Sequence, residues 1–265
     1  MSLLDLFSLE GKVAVITGGT KMYGKSSSFA LVEAGAKLYI ASHSRETAEK
    51  TADELRAIGG EVRVIEYHQG DADSIRNLIS SIANAEGRID ILVNAARVIP
   101  TGTPGWFQDE EGLDYAVKVN SAGMLYLTML AGREMIAKRS GSIINFASMM
   151  GMVGVEKHNY DGAPGMDAGA YSHDYALNKS GIIVWTKHAA GYYGQYGVRV
   201  NCVSPGGMRS DRNVPAFREN YSRHTQLGRL AEADDIKGAV AFLASDASAY
   251  VTGVNIPVDG GYTCI

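Results

Sequence analysis

The chain has 265 residues, 46% of them hydrophobic, with 31 glycines, six prolines and a net charge of −4. That is enough apolar material to bury the core of one α/β domain, while the mild acidity and the lack of a Lys/Arg cluster exclude a nucleic-acid binder. No apolar run reaches the length of a membrane span, no signal peptide is read in Met1 to Gly11, and Cys202 and Cys264 show neither metal-ligand nor disulfide spacing, all of which fits a reducing cytoplasm.

In chain order, Lys12 to Thr17 reads as the first strand and runs into Thr17-Gly18-Gly19-Thr20-Lys21-Met22-Tyr23-Gly24 and a helix over Ser26 to Glu33. A glycine-rich turn of this kind lets backbone approach a pyrophosphate at a helix N-terminus, although glycines also serve turns that bind nothing. Lys37 to Ala41, Val62 to Glu66 and Ile89 to Val93 follow as strands, alternating with helices over Glu46 to Ile58 and Ser74 to Ala85. A helix over Met124 to Lys138 precedes a strand over Ser142 to Phe146. The stretch Met152 to Asp174, with four glycines and a proline, breaks the rhythm and reads as a long loop. Tyr175 to Tyr193 and Asp234 to Leu243 are helical, and Val198 to Val203 and Val254 to Val258 complete the strands. Such alternation implies βαβ units, a parallel sheet and a single domain over residues 1–265.

Tyr175 and Lys179 stand four residues apart on a helix, so they share a face. A free phenol has a pKa of about 10, and a fixed cation beside it favours phenolate and makes the tyrosine a usable general acid or base. An exposed i,i+4 pair is the plainer alternative for these two residues alone.

The order of motifs resembles the short-chain dehydrogenase/reductase family over nearly the whole chain. After the glycine-rich turn come Glu33-Ala34-Gly35-Ala36, Val93-Asn94-Ala95-Ala96, Val119-Asn120 and Gly141-Ser142-Ile143-Ile144-Asn145-Phe146-Ala147-Ser148. Tyr175 to Lys179, Val198 to Gly206, Thr252-Gly253 and Val258-Asp259-Gly260-Gly261 follow. The resemblance implies a Rossmann-like doubly wound parallel sheet flanked by helices, and hydride transfer between a nicotinamide cofactor and a carbonyl or alcohol. It implies Tyr175 as proton donor or acceptor, Lys179 as the cation that tunes it and bonds the nicotinamide ribose, and Ser148 as a donor to the reacting oxygen. Asn120 would hold a water linking Lys179 to solvent. Gly18, Lys21, Met22, Tyr23, Gly24, Asn94, Ala95 and Ala96 would line the cofactor, with Pro205, Gly206 and Ser210 bordering the nicotinamide. Asn120 as a helix cap and Ser148 as a turn hydroxyl are the structural alternatives.

Three departures bear on the cofactor. Met22 stands where the family has glycine, Arg97 where its Asn-Asn-Ala-Gly segment ends in glycine, and His68 where an aspartate meets the adenine. Met22 would put bulk near the phosphates, and Arg97 could face a phosphate or an anionic substrate. The end of the second strand, Ala41-Ser42-His43-Ser44-Arg45, offers no carboxylate for ribose hydroxyls. His43, Arg45 and Lys21 instead suit a 2′-phosphate, which favours NADP over NAD.

Tyr175 follows Ser148 by 27 positions, about twice the family's usual spacing. The extended loop, 152–174, offers Glu156, His158, Tyr160, Asp161, Tyr171, His173 and Asp174, a lining that suits a small, hydroxylated substrate such as a sugar, polyol or sugar acid. An oligomer contact is the alternative, and no metal site is expected. Residues 207–228 resemble a substrate lid carrying Arg209, Arg212, Arg218 and Arg223. The family's habit implies a homotetramer or homodimer through the helices at Met124 to Lys138 and Tyr175 to Tyr193. The competing readings are a dinucleotide-binding regulatory protein with weakened catalysis, and lyase or isomerase chemistry on a held cofactor.

Overall fold

The computed structural model describes residues 2–99, 106, 109–166 and 171–264. Among them, strands β1 (Val13–Thr17), β2 (Lys37–Ser42), β3 (Val62–Glu66), β4 (Ile91–Asn94), β5 (Gly141–Phe146), β6 (Val198–Pro205) and β7 (Asn255–Val258) form one sheet. Their order is β3-β2-β1-β4-β5-β6-β7, every pair parallel. The helices are α1 (Leu3–Phe7), α2 (Met22–Glu33), α3 (Arg45–Ala57), α4 (Ala72–Glu86), α5 (Glu110–Val117), α6 (Met124–Lys138), α7 (His173–Tyr193), α8 (Pro215–His224) and α9 (Lys237–Ala244).

β1 shows why the sheet is covered on both faces. All five of its residues are buried, and the two-residue strand period sends them alternately up and down. Ala14 and Ile16 pack with Leu31 of α2, Leu55 of α3 and Val240 and Leu243 of α9. Val13 and Val15 pack with Leu78 and Ile82 of α4, Leu127 and Met135 of α6 and Ala190 of α7. Continuous apolar strands of this kind belong to parallel sheets buried on both sides. The chain reverses its progress across the sheet between β3 and β4, which leaves a crevice outside the C-terminal ends of β1 and β4.

Four elements escape the periodicity of the sequence. α1 is one turn capped by Ser2. α5 begins at Asp109, whose carboxylate accepts from the Gly112 N–H at 2.7 Å, and it continues through a π-helical turn, Lys118–Gly123, into α6. Within the described part of residues 152–174, Lys157–Tyr160 forms a 3₁₀ turn and α7 starts at His173, so that part carries regular structure rather than plain loop. Residues 167–170 of the expected loop lie outside the described residues. α8 occupies the centre of the expected lid.

Candidate active site

The glycine-rich turn joins β1 to α2 at the crevice. Gly18 has φ +71°, and a Cβ there would fall 2.6 Å from Cα of Ala96 after β4. A Cβ on Gly24 would collide with the carbonyl oxygen of Gly18. Met22 keeps a left-handed φ of +50°, the conformation a glycine would take without strain. Its side chain is 51% exposed, so the expected bulk points largely to solvent. Lys21, at the N-cap, gives α2 no side-chain cap, whereas Ser44 caps α3 and Asp71 caps α4. An uncapped N-terminus beside a close-packed glycine turn is fitted to a pyrophosphate, and these residues fit a dinucleotide.

At the adenosine end, Ser42 is buried and accepts from the Ser44 N–H at 3.3 Å, which makes it a turn hydroxyl. His43 and Arg45 are exposed, and Arg45 is only loosely engaged, 3.8 Å from Glu49. His68 is exposed, with Nε2 at 3.6 Å from Glu66. Asn94 takes a role unlike the expected one. It is buried and donates to Thr128 and Asn145, both at 2.9 Å, and Asn145 donates to Thr186 at 3.0 Å. That polar seam fixes α6 and α7 against β4 and β5, so the Asn94 side chain serves the core rather than the cofactor.

The reacting groups converge from β5, the π-helical turn and α7. Lys179 is buried and its ammonium donates to the carbonyl oxygen of Phe146 at 2.6 Å. It lies 5.9 Å from the Tyr175 ring centroid. Burial, then the charge of Arg97, lower its pKa to about 7, against the pull of Asp174. Ser148 is buried at the start of a 3₁₀ turn, Met149–Gly151, and its hydroxyl oxygen accepts from the Met150 N–H at 3.1 Å. It is a turn hydroxyl whose own proton remains available to a substrate oxygen.

Asn120 sits in the π-helical turn, a distortion often found at functional sites. Its side chain clamps the Val98 peptide, accepting from the N–H at 2.8 Å and donating to the carbonyl at 3.0 Å. It also donates to Asp174 at 3.1 Å, while its backbone carbonyl accepts from Asn178 at 3.1 Å. The side chain is therefore held by protein rather than left to a water.

Asp174, read from the sequence as part of the polar insert lining, and Arg97, read as facing a phosphate or an anionic substrate, are central to the electrostatics of the site. Asp174 is a buried carboxylate that precedes Tyr175 and accepts from Ser172 and Asn120. Its signal was an acid in the first turn of α7, where the helix dipole favours a negative charge. Arg97 stacks over the Tyr175 ring, its guanidinium carbon 4.3 Å from the centroid.

The expected nicotinamide border lies at the end of β6. Gly206 donates to Val258 at 3.0 Å, and its carbonyl accepts from the Tyr23 hydroxyl at 3.0 Å. Tyr23 thus links the phosphate turn to the expected nicotinamide border. Ser210 donates its N–H to Asn213 at 2.7 Å, and its carbonyl accepts from Arg218 at 3.0 Å. Arg209 and Arg223 are engaged in exposed ion pairs with Glu232 and Glu219.

The insert packs on α8 rather than presenting a uniformly polar lining. Tyr160 lies 5.5 Å from Phe217 by ring centroids, and Asn220 donates to the Asp161 carbonyl at 2.9 Å. Asn159 donates to the Tyr262 hydroxyl at 2.8 Å, and Tyr262 stacks 5.1 Å from Tyr221. Glu156 and His158 pair with each other. The wall is aromatic, with Met149 and Met150 packed into it and a few fixed amides. Among the described residues no three His, Cys, Asp or Glu side chains gather as metal ligands. No described helix is long and apolar enough to cross a membrane.

Residues 24–263 match the family model described as enoyl-(acyl carrier protein) reductase. A 2,5-dichloro-2,5-cyclohexadiene-1,4-diol dehydrogenase, LinX, of Sphingobium indicum is 34% identical over 260 residues, covering 96% of this chain and 97% of its own. A 3-oxoacyl-(acyl-carrier-protein) reductase of Thermotoga maritima is 31% identical over 256 residues, covering 96% and 98%. Among solved structures, a gluconate 5-dehydrogenase from Burkholderia cenocepacia in complex with NADP and tartrate superposes with a TM-score of 0.87 at 28% identity, covering 100% of both chains.

Proposed function

The chain belongs to the short-chain dehydrogenase/reductase family and is an NAD(P)-dependent oxidoreductase; from that premise we propose that it prefers NADP(H) and acts on polar hydroxy or keto compounds, with sugars, polyols and sugar acids as the favoured class. The dinucleotide supplies the hydride acceptor or donor when bound. The glycine-rich turn and the open N-terminus of α2 would hold its pyrophosphate, Lys21, His43 and Arg45 its 2′-phosphate, and Pro205, Gly206 and Ser210 its nicotinamide end.

Tyr175 gives its proton to the carbonyl oxygen in reduction and takes the hydroxyl proton in oxidation. Lys179, as a cation, stabilises the phenolate. Ser148 donates to the reacting oxygen, where charge develops. Asn120 fixes the segments on either side of Tyr175.

The observation that carries this reading is the Ser148 hydroxyl. Its oxygen is occupied by Met150 N–H and its proton has no acceptor among the described residues, in the same crevice as Tyr175 and Lys179. The solved relative that holds NADP and tartrate supports both the cofactor and the polar substrate class. We also read a cytoplasmic homotetramer or homodimer, supported by apolar side chains left exposed on α6 (Leu125, Met129) and α7 (Leu177, Val184). Fluorescence titration with NADPH and NADH, followed by NADP⁺ reduction with a panel of sugar acids and polyols, tests the reading. Tighter NADPH binding and turnover within the panel are expected, and preference for NADH or silence across the panel would refute it.

A further inference from the structure

We infer that Arg97 selects the substrate: its guanidinium, stacked on the Tyr175 ring, holds a carboxylate carried near the reacting carbon, so the site prefers hydroxy or keto acids to neutral polyols. This rests on the hydride-transfer reading above and narrows its substrate class.

Four observations meet here. The guanidinium carbon lies 4.3 Å from the ring centroid of Tyr175, well inside the range of about 6 Å over which a cation is attracted to an aromatic face. In this position the guanidinium has no hydrogen-bond acceptor among the described residues, and a guanidinium fork matches a carboxylate in bidentate fashion. Arg97 is exposed and no described residue forms an ion pair with it, whereas Arg209 and Arg223 nearby in the fold's lid each have a carboxylate. Its backbone is also fixed. Asn120 clamps the very next peptide, at Val98, and the same amide reaches Asp174, the residue before Tyr175. One side chain therefore sets the stacked pair, so the fork is held ready before substrate arrives, and pre-organisation of this kind raises affinity.

The charge inventory points the same way. The field at Lys179 is set by Arg97 and by Asp174, a buried carboxylate whose oxygens already accept from Ser172 and Asn120. An anion on the substrate would complete that set. A group bound to the reacting carbon, with its oxygen at the Tyr175 hydroxyl, comes within reach of the ring face that Arg97 covers. A cofactor phosphate is the competing occupant, and the test separates the two.

The test compares gluconate with its neutral counterpart glucitol, and tartrate with threitol, in wild type, Arg97→Ala and Arg97→Lys. Steady-state kcat and KM are measured at saturating NADP⁺, and the same four compounds are titrated by fluorescence onto the protein–NADPH complex. In wild type the acid of each pair should be favoured over the alcohol. Arg97→Ala should cut the acid-to-alcohol ratio of kcat/KM, or of binding, at least tenfold, the change lying in KM rather than kcat. Arg97→Lys should restore part of it. An unchanged ratio, or no binding of either acid by the wild-type complex, overturns the assignment while turnover of the alcohols leaves the proposed function standing. A weaker grip on NADPH in Arg97→Ala with the ratio intact would put the guanidinium on the cofactor and overturn it too. Failure of the proposed function shows differently, as wild-type protein that binds neither NADPH nor NADH.

Discussion

The Lys179 ammonium donates to the carbonyl oxygen of Phe146 at 2.6 Å, which anchors the buried cation of α7 to the C-terminal end of β5. Burial lowers its pKa from 10.5 to about 7. The unfolded chain therefore binds more protons than the folded one between those two values, so this group makes folding more favourable as pH rises through that window. Lys179→Met removes the effect. The variant should be more stable than wild type below pH 7, and its advantage should shrink by about 1.4 kcal/mol per pH unit above it. Urea denaturation at pH 6, 8 and 9.5 checks this, and a pH-independent difference would refute it.

Arg97 and Asp174 act on Lys179 with opposite sign, the first lowering its pKa and the second raising it. If cationic Lys179 is the form that supports the phenolate, kcat/KM falls on the alkaline side as it loses its proton. Asp174→Asn should move that limb to lower pH and Arg97→Ala to higher pH. Profiles recorded with a neutral substrate would count against the scheme if both variants shifted the same way.

Two positions in the phosphate turn should respond in opposite directions. Met22 holds a left-handed backbone that costs a side-chain-bearing residue about 1–2 kcal/mol. Met22→Gly relieves this against the greater unfolded-state freedom of glycine, so stability should hold or rise by up to about 1 kcal/mol, with dinucleotide affinity kept. Gly24→Ala drives a methyl into the Gly18 carbonyl and should lose more than about 2 kcal/mol. Chemical denaturation of both variants checks the pair, and a stable Gly24→Ala would mean that the turn is looser than its geometry.

On the proposed reading, Arg45 and Lys21 carry the choice of dinucleotide. Arg45 is loosely paired at 3.8 Å from Glu49, so turning it towards a 2′-phosphate breaks little. Removing either side chain should weaken NADPH binding by about tenfold, the equivalent of one lost charge-assisted contact, and leave NADH binding alone. Equal weakening of both dinucleotides in a fluorescence titration would place these residues elsewhere.

Strands and their flanking helices were legible because the two-residue and 3.6-residue periods are set locally, by which side chains must face a core. β3 matches the range read from Val62 to Glu66, and the remaining strands differ only at their ends. α5 and the π-helical turn were not legible. Their apolar pattern is weak, and they are held by distant contacts such as that of Gln69, which donates to the Val119 carbonyl at 2.8 Å. At the site, residue types and order pointed to Ser148, Tyr175 and Lys179. Asp174 and Arg97 were singled out, but their place beside Tyr175 and Lys179 was not legible because it lies in proximity across the fold: Asn120 joins segments 22 and 54 residues away. The polar lining expected of the insert was a reading of composition. In three dimensions Glu156 and His158 satisfy each other, and the rings of Tyr160, Phe217 and Tyr221 form the wall.

The bond from the Tyr23 hydroxyl to the Gly206 carbonyl makes the crevice a jig of fixed length. One strut spans from the turn proposed to hold the phosphates to the proposed nicotinamide border, across 183 residues of sequence. A nicotinamide mononucleotide or an ADP fragment occupies only part of that span and gains nothing from the rest being already in register. The full dinucleotide meets both ends at once, so its binding should exceed what the two fragments deliver when mixed.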